Sequence, residues 1–437
     1  MKKITTVIVC LFLFSFSQAQ LGDLKTKEVK LDMQLNQNAL SSTMNFEDDD
    51  YHWVQFAFSE FTLRNGTKFR IFQHGTDYEL ILDSTSIQTY GYRSCFFSPG
   101  TFTFSVFRED GADFTGGVKG KTITYGRIDN NKSQCGSLDN RVASSDVRVA
   151  RAMPVGCTAW LLSNGTIATA GHCFEPNGQP YSTNFVTFIE FDVPLSTAGG
   201  GTNPSAPEDQ FPVIATSVEQ ELGNFCGQDW ALFTCGDNAT TGNNIFMDRG
   251  DFFRPTTVTP TGTIRITGHG VDTGTANQTQ QTHSGAYGGK WDNGASGIYL
   301  GYSVDTEGGN SGSPIIRNAN QDFAYGIHTN GGCGDTGSGC GNGFNSGQFF
   351  DYNPLETEMN DFFSTRTIHV DLISNTTTEN GSAFAPFDSL EEAENDIGSS
   401  TLQYNIILVK GTYNETDGLL LDKKMLIHAP VGNALLR

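Results

Sequence analysis

The chain has 437 residues, a formal net charge of −21, 50 glycines and 33 phenylalanines. So acidic a chain does not bind nucleic acid through a phosphate-neutralising patch; its charge serves solubility. Glycine, phenylalanine, threonine and serine in this abundance predict an all-β protein with many turns, and the length allows about two to four domains.

Residues 1–19 read as a secretory signal. Lys2 and Lys3 give a positive start, Ile4 to Phe16 an apolar core, and Ser17-Gln18-Ala19 a small-residue cleavage site. That apolar run is too short to span a bilayer, and no other stretch approaches the length needed. The expectation is therefore a secreted, extracellular chain without a membrane span. The cysteines agree with export. Cys10 falls in the signal, and Cys95, Cys135, Cys157, Cys173, Cys226, Cys235, Cys333 and Cys340 remain. An even count in an exported chain argues for disulfides. No Cys-x-x-Cys pair or cysteine–histidine zinc spacing appears, so no metal is expected.

Residues 20–130 read as a separate β-rich domain. Val54, Phe56 and Phe58 alternate with Gln55, Ala57 and Ser59, the pattern of a half-buried strand, and Phe102, Phe104 and Val106 repeat it. Asn65-Gly66, Pro99-Gly100 and Asp110-Gly111 mark turns between such strands. A small β-sandwich is the simplest architecture. The acidic run from Glu47 to Asp50 reads as a solvated loop, with calcium binding left open.

Residues 131–367 are rich in glycine and short strands, enough for two packed β-barrels. Cys157 to Leu162 is an apolar strand, Asn164-Gly165 a hairpin turn, and Ile167 to Ala170 a second strand that delivers His172 at its end. Farther on, Asp229 enters the apolar run Trp230-Ala231-Leu232-Phe233. Burying that carboxylate is costly unless it is paired. Asp237, Asp248 and Asp251 are rivals in more polar contexts. Then comes Gly308-Gly309-Asn310-Ser311-Gly312-Ser313-Pro314, a serine flanked by glycines that leave room for close approach to its backbone. Near the end of the block Leu355, Met359, Phe362 and Phe363 fall on one helical face.

In residues 368–437, Ser389-Leu390-Glu391-Glu392 is a capping box opening a short helix with Leu390, Ala393 and Ile397 inward. Short apolar runs follow at Ile406 to Val409, Leu419 to Leu421 and Met425 to Ile427. Their spacing suits the first coils of a parallel β-helix and weakly resembles carbohydrate-binding or pectin-cleaving β-helices. So few coils cannot bury a core alone; either the segment is truncated or it packs on the preceding block.

The His172 and Ser311 segments together resemble the chymotrypsin-like (trypsin superfamily) serine peptidases, and Gly-Asn-Ser-Gly-Ser-Pro resembles their glutamyl endopeptidase branch. The resemblance spans roughly residues 131–355. It implies a double β-barrel with His172 as base, Asp229 as its orienter and Ser311 as nucleophile, an oxyanion hole from the N–H groups of Gly309 and Ser311, and a Cys157–Cys173 disulfide bracketing the histidine. The expected activity is endopeptidase cleavage of protein or peptide substrates through an acyl-enzyme, by a monomer needing no cofactor.

Asn310 stands where the trypsin branch has an aspartate that receives a newly cut N-terminal ammonium, and no Ile-Val-Gly-Gly start is present. A zymogen activated by that ion pair is therefore not expected. The N-terminal domain is expected to be a propeptide or folding aid, removed at Arg127, Lys132, Arg141, Arg148 or Arg151.

The specificity (S1) pocket gives conflicting signals. Asp305 sits where trypsin-like enzymes bind Lys or Arg, whereas Thr306 and His328 match the residues that hold an acidic side chain in the glutamyl branch. Two matches outweigh one, so cleavage after Glu or Asp is expected, with Lys/Arg as the alternative. Gly331-Gly332 offers backbone groups to an extended substrate, and a Cys333–Cys340 disulfide is expected beside the pocket. A rival of another class is an inert protease-like domain in a secreted adhesive or glycan-binding protein. A carbohydrate-cleaving enzyme built on the C-terminal coils is weaker, for no acidic pair stands out on them.

Overall fold

The computed structural model describes residues 21–436 apart from 36–39, 49, 65, 112–115, 129–131, 175–185, 225, 295–296, 334–339, 341–342, 374–377, 399, 401 and 415–422. The expected signal at 1–19 and the Leu419–Leu421 run lie outside the described residues.

The N-terminal unit is two antiparallel four-stranded sheets. One runs Leu21–Glu28, Gly116–Ile128, Asp32–Leu35, with Trp53–Phe61 also on Gly116–Ile128. The other runs Leu40–Phe46, Gly100–Arg108, Thr67–Gln73, Glu79–Leu82. Phenylalanines fill the space between the sheets. Phe56 meets Phe102 and Phe104 edge-on, each at 5.1 Å between centroids, the arrangement favoured by ring quadrupoles. The alternation expected over residues 54–59 holds only in part, because Trp53 and Gln55 are also buried. Residues 94–97 cover that second face. Trp53 packs edge-on against Phe96 at 4.9 Å, and the Gln55 Nε2 donates to the Ser94 carbonyl at 3.0 Å.

This covering segment is also the seam with the next unit. Phe96 packs on Phe188 at 5.8 Å, and the Gln210 side chain accepts from the Phe96 N–H and donates to its carbonyl, both at 2.8 Å. One amide side chain thus imitates a strand neighbour.

Two β-barrel halves follow. The first is a curled sheet in the order Gln210–Pro212, Val186–Glu190, Val149–Pro154, Cys157–Leu161, Ile167–Thr169, Gln228–Phe233, Glu219–Asn224, antiparallel throughout. The second closes on itself. Gln281–Asp292, Thr263–Gly268, Pro314–Arg317, Phe323–Asn330, Asn345–Phe349 and Ile298–Ser303 form a ring of six strands, sealed because Gln281–Asp292 also pairs with Ile298–Ser303. Closure satisfies every strand edge within the ring. The mostly-β double barrel anticipated from composition and motifs is the observed architecture.

The helix Asn353–Asp361 buries Leu355 and Met359 against the first barrel, whereas Phe363, expected on the same face, lies past the helix end and is exposed. Beyond it, Thr367–Val370, Tyr404–Leu408 and Met425–His428 pair in parallel, as do Gly411–Tyr413 and Ala434–Leu436. Successive parallel pairings are what stacked coils produce. The helix Leu390–Ile397 starts at Ser389, whose side chain accepts from the Glu392 N–H. This C-terminal segment packs on the barrels. Phe384, Val409 and Val431 join the first-barrel core, and Arg254 pairs with Asp371 at 2.6 Å.

Candidate active site

His172 lies in a one-turn 3₁₀ segment, Gly171–Cys173, immediately after the strand Ile167–Thr169. That strand is one arm of a hairpin with Cys157–Leu161, in which Trp160 faces Ala168 and Leu161 faces Ile167. The turn between the arms is held by Asn164, whose Oδ1 accepts from the N–H and hydroxyl of Thr166. The expected Cys157–Cys173 disulfide is present, tying the start of the hairpin to the residue after the histidine. A Cβ on Gly171 would collide with the Glu221 carbonyl, so only glycine lets the turn lie this close to the neighbouring strand.

Asp229 comes from the strand Gln228–Phe233, which pairs with Ile167–Thr169. Its carboxylate is wholly buried and binds the histidine twice. Oδ1 accepts from the His172 N–H at 2.9 Å, and Oδ2 lies 2.6 Å from Nδ1. This pairing meets the burial cost noted from sequence, and it fixes ring and backbone together.

Ser311 belongs to the other barrel, in the loop between Thr306–Glu307 and Pro314–Arg317. Its carbonyl accepts from the Thr158 N–H at 2.8 Å and lies 3.9 Å from the Cys173 sulfur, so its backbone rests on the histidine hairpin. The loop has a pattern of used and unused donors. The N–H groups of Asn310, Gly312 and Ser313 go to the Glu307, His328 and Asn310 carbonyls, whereas among the described residues those of Gly309 and Ser311 donate to no protein acceptor. Gly309 and Gly312 have φ of +94° and +90°. A Cβ on Gly309 would run into Gln278, and one on Gly312 into the Thr158 carbonyl. The Asn310 Oδ1 turns inward to accept from the Glu307 N–H at 2.9 Å.

The expected pocket residues divide. His328 adjoins the serine loop: its N–H donates to the Ser313 carbonyl at 2.8 Å and its carbonyl accepts from Gly312 at 2.7 Å. Its ring is buried, with Nδ1 2.6 Å from the Tyr302 hydroxyl. Burial, with the His172 charge second, pushes its pKa down to about 3. Thr306 is also buried, its Oγ1 accepting from the Asn345 Nδ2 at 2.9 Å. Asp305 must be corrected. Its carboxylate is bonded within the chain: Oδ1 accepts from the Cys135 N–H at 2.9 Å, and Oδ2 from the N–H and Nδ2 of Asn140, both at 2.8 Å.

The disulfides need a second correction. Cys333 pairs with Cys135 and Cys340 with Cys226, rather than with each other. Cys95 and Cys235 remain thiols, so the even count did not mean full pairing, and burial pushes both of them up.

Two of the expected processing points are buried. Arg148 is buried against Asp146 at 2.7 Å. Arg151 lies in a fully buried ion pair with Glu190 at 2.7 Å, on a central strand of the first barrel.

Sequence reasoning missed Tyr302, the Arg151–Glu190 pair and the role of Asn140. Only the arginine carried a signal, a charge in the midst of the otherwise apolar run 149–155. A cavity of about 340 Å³ lined by Tyr90, Phe188 and Pro212 lies between the N-terminal unit and the first barrel, with no triad candidate in its wall.

Residues 157–326 match the family model described as Trypsin-like peptidase domain. The glutamyl endopeptidase of Bacillus licheniformis is 27% identical over 198 residues, which are 40% of this chain and 51% of that protein. The chain thus spans about half the length of the curated relative it matches. Among solved structures, the protease Anisep of Arthrobacter nicotinovorans is 17% identical with a TM-score of 0.34, covering 48% of this chain and 93% of that one. A thermostable serine protease AL20 from an extremophilic microorganism is likewise 17% identical, with a TM-score of 0.34 and coverage of 47% and 93%. The block matched by the trypsin-like peptidase model contains the hairpin, the aspartate strand and the glycine-flanked serine.

Proposed function

We propose that the protein is a secreted serine endopeptidase in which Ser311 attacks the scissile carbonyl, His172 takes and returns the proton, and Asp229 holds the imidazole. The observation that carries this reading is the pair of bonds from Asp229 to both backbone and ring of His172. Orientation of this kind leaves the second ring nitrogen for the nucleophile and stabilises the imidazolium that forms. The uncommitted N–H groups of Gly309 and Ser311 support an oxyanion hole. The acyl-enzyme is then hydrolysed by water activated by the same histidine.

Cleavage after Glu or Asp is the favoured specificity. Both oxygens of Asp305 are bonded within the chain, whereas Thr306 and the His328 ring match the residues that hold an acidic side chain in the glutamyl branch. The relative's name, glutamyl endopeptidase, points the same way. Residues 20–130 would act as a propeptide or folding aid, 131–367 as the peptidase, and 368–437 as a β-helix-like appendage. The secretory signal at 1–19 accords with the three disulfides, and no described helix is long and apolar enough to cross a membrane.

Labelling with a fluorophosphonate followed by mass spectrometry should place the adduct on Ser311, and Ser311→Ala should abolish it. An inert adhesive protein would not react. A peptide-library digest then reads specificity, and cuts chiefly after Lys or Arg would reverse the pocket assignment.

A further inference from the structure

A segment upstream of the matched family block pairs with the short strand that leads into the serine loop. Lys132–Ser133 pairs antiparallel with Thr306–Glu307. Cys135 is bonded to Cys333, 198 residues away, just past the end of the strand Phe323–Asn330 that carries His328. Asn140 and Cys135 together occupy both oxygens of Asp305 with three hydrogen bonds of 2.8–2.9 Å. The Asp305 N–H donates to the His283 Nδ1 at 2.8 Å, so that nitrogen carries no proton and the 3.6 Å approach of His283 to the carboxylate is not an ion pair. Arg141 continues the contact. It donates to the Val271 carbonyl at 2.9 Å, and a Cβ on Gly270 would strike both its guanidinium and the Asn310 side chain.

A buried carboxylate demands donors, and it binds a substrate cation only when the protein has left that demand unmet. Here the demand is met from within the chain. We propose that residues 135–140, pinned by the Cys135–Cys333 disulfide, are a specificity determinant: they hold the Asp305 carboxylate out of the substrate pocket and thereby exclude Lys and Arg side chains. Asn140 is the positioning residue of this clamp. The segment is then part of the working enzyme rather than of a disposable leader. A cut between residues 136 and 141 would leave the N-terminal unit tethered through the disulfide. The inference rests on the peptidase reading above and goes further, since it assigns specificity to residues outside the family match.

The test uses the full chain and two variants. Asn140→Ala removes one donor while keeping the disulfide and both main-chain donors. Cys135→Ser combined with Cys333→Ser removes the pin. Each is first titrated with a fluorophosphonate, then assayed on peptide pairs differing only in Glu or Lys at the cleaved position, with benzamidine as a cationic pocket probe. Expected is a wild type that takes Glu and ignores benzamidine, and a Lys-to-Glu ratio that rises about tenfold in the variants, the scale of one repositioned pocket contact, with benzamidine inhibition appearing alongside. Adding Asp305→Ser should abolish that gain.

An unchanged ratio in a variant whose serine still labels overturns the proposal, as does a gain that survives Asp305→Ser, or a wild type that already cleaves after Lys. Should the double serine variant not label, Asn140→Ala decides alone. If the wild type itself does not label, the peptidase reading falls and this inference with it, an outcome distinct from a labelled enzyme whose specificity does not move.

Discussion

At the scale of single residues, the chemistry depends on what a buried polar group is given to bond. Asp229 binds both the backbone N–H and the ring of His172, the arrangement that suits an orienting carboxylate. Asp229→Asn keeps the shape but offers an amide N–H where an acceptor is needed, which favours the wrong imidazole tautomer. We expect kcat to fall by about 10⁴ with KM little changed, measured on titrated enzyme; a loss below tenfold would remove Asp229 from the mechanism. Tyr302 acts on His328 in a similar way. Its burial keeps the phenol protonated, with its pKa raised well above the ordinary value, and its hydroxyl lies 2.6 Å from Nδ1. Tyr302→Phe leaves that buried nitrogen unsatisfied and should cost about 1–3 kcal/mol. Denaturant midpoints would read the loss, and the preference for Glu over Gln peptides should weaken as the ring loses its fixed orientation. The triad candidates were legible because each sits in a short motif whose chemistry is local: a histidine before a cysteine, an aspartate entering an apolar strand, a serine among glycines. Tyr302 and Asn140 were not legible, for nothing near them in the chain distinguishes them. What they do is decided by strands that arrive from elsewhere.

At the scale of elements, the histidine hairpin is the most constrained unit. Gly165 has a φ of +89°, and a Cβ there would press on Pro430 of the C-terminal segment at about 2.6 Å. Gly165→Ala therefore both strains the turn and pushes the appendage away. The disulfide closes a loop spanning 16 positions. Removing it by Cys157→Ala with Cys173→Ala should cost about 3 kcal/mol from loop closure alone. Because Cys173 adjoins His172, kcat should drop more than KM rises; the opposite split would mean that the bridge steadies substrate binding instead. Sequence periodicity located this hairpin, the Ser389 cap and the phenylalanine strands, since each follows a local rule of alternation, turn chemistry or capping. It misjudged the cysteines for a physical reason. Cys135 and Cys333 are neighbours only because the upstream segment lies along the serine loop, and Cys226 reaches Cys340 across 114 positions. Local spacing made Cys333–Cys340 look natural, and tertiary structure chose otherwise.

For the whole molecule, the seams between units carry buried polar groups, and this makes acid the natural stress. The Arg151–Glu190 pair illustrates the construction. The guanidinium also donates to the Gln278 and Asn203 carbonyls, and the carboxylate accepts from the N–H and hydroxyl of Ser205. Three histidines are buried as neutral rings at separate places. Desolvation lowers His269 and His328 to about 3, and His369, beside the Asn360 carbonyl where the C-terminal segment docks, to about 4. Unfolding returns each to the ordinary value near 6.5. Between that value and the depressed one the unfolded chain binds a proton that the native chain refuses, so stability falls as pH drops through this window and is untouched above it. Each ring contributes a slope of up to roughly 1.4 kcal/mol per pH unit, and His369 alone up to roughly 3 kcal/mol by pH 4. Denaturant unfolding of wild type and His369→Gln at pH 7.5 and at about pH 4.5 isolates that share from the carboxylates, which both proteins keep. The variant is expected to lose about 2 kcal/mol less on acidification, because glutamine can still donate to the Asn360 carbonyl without titrating. Equal losses in the two proteins would mean that the ring at the docking seam accepts its proton without unfolding, and that the C-terminal segment sits more loosely than its packing implies.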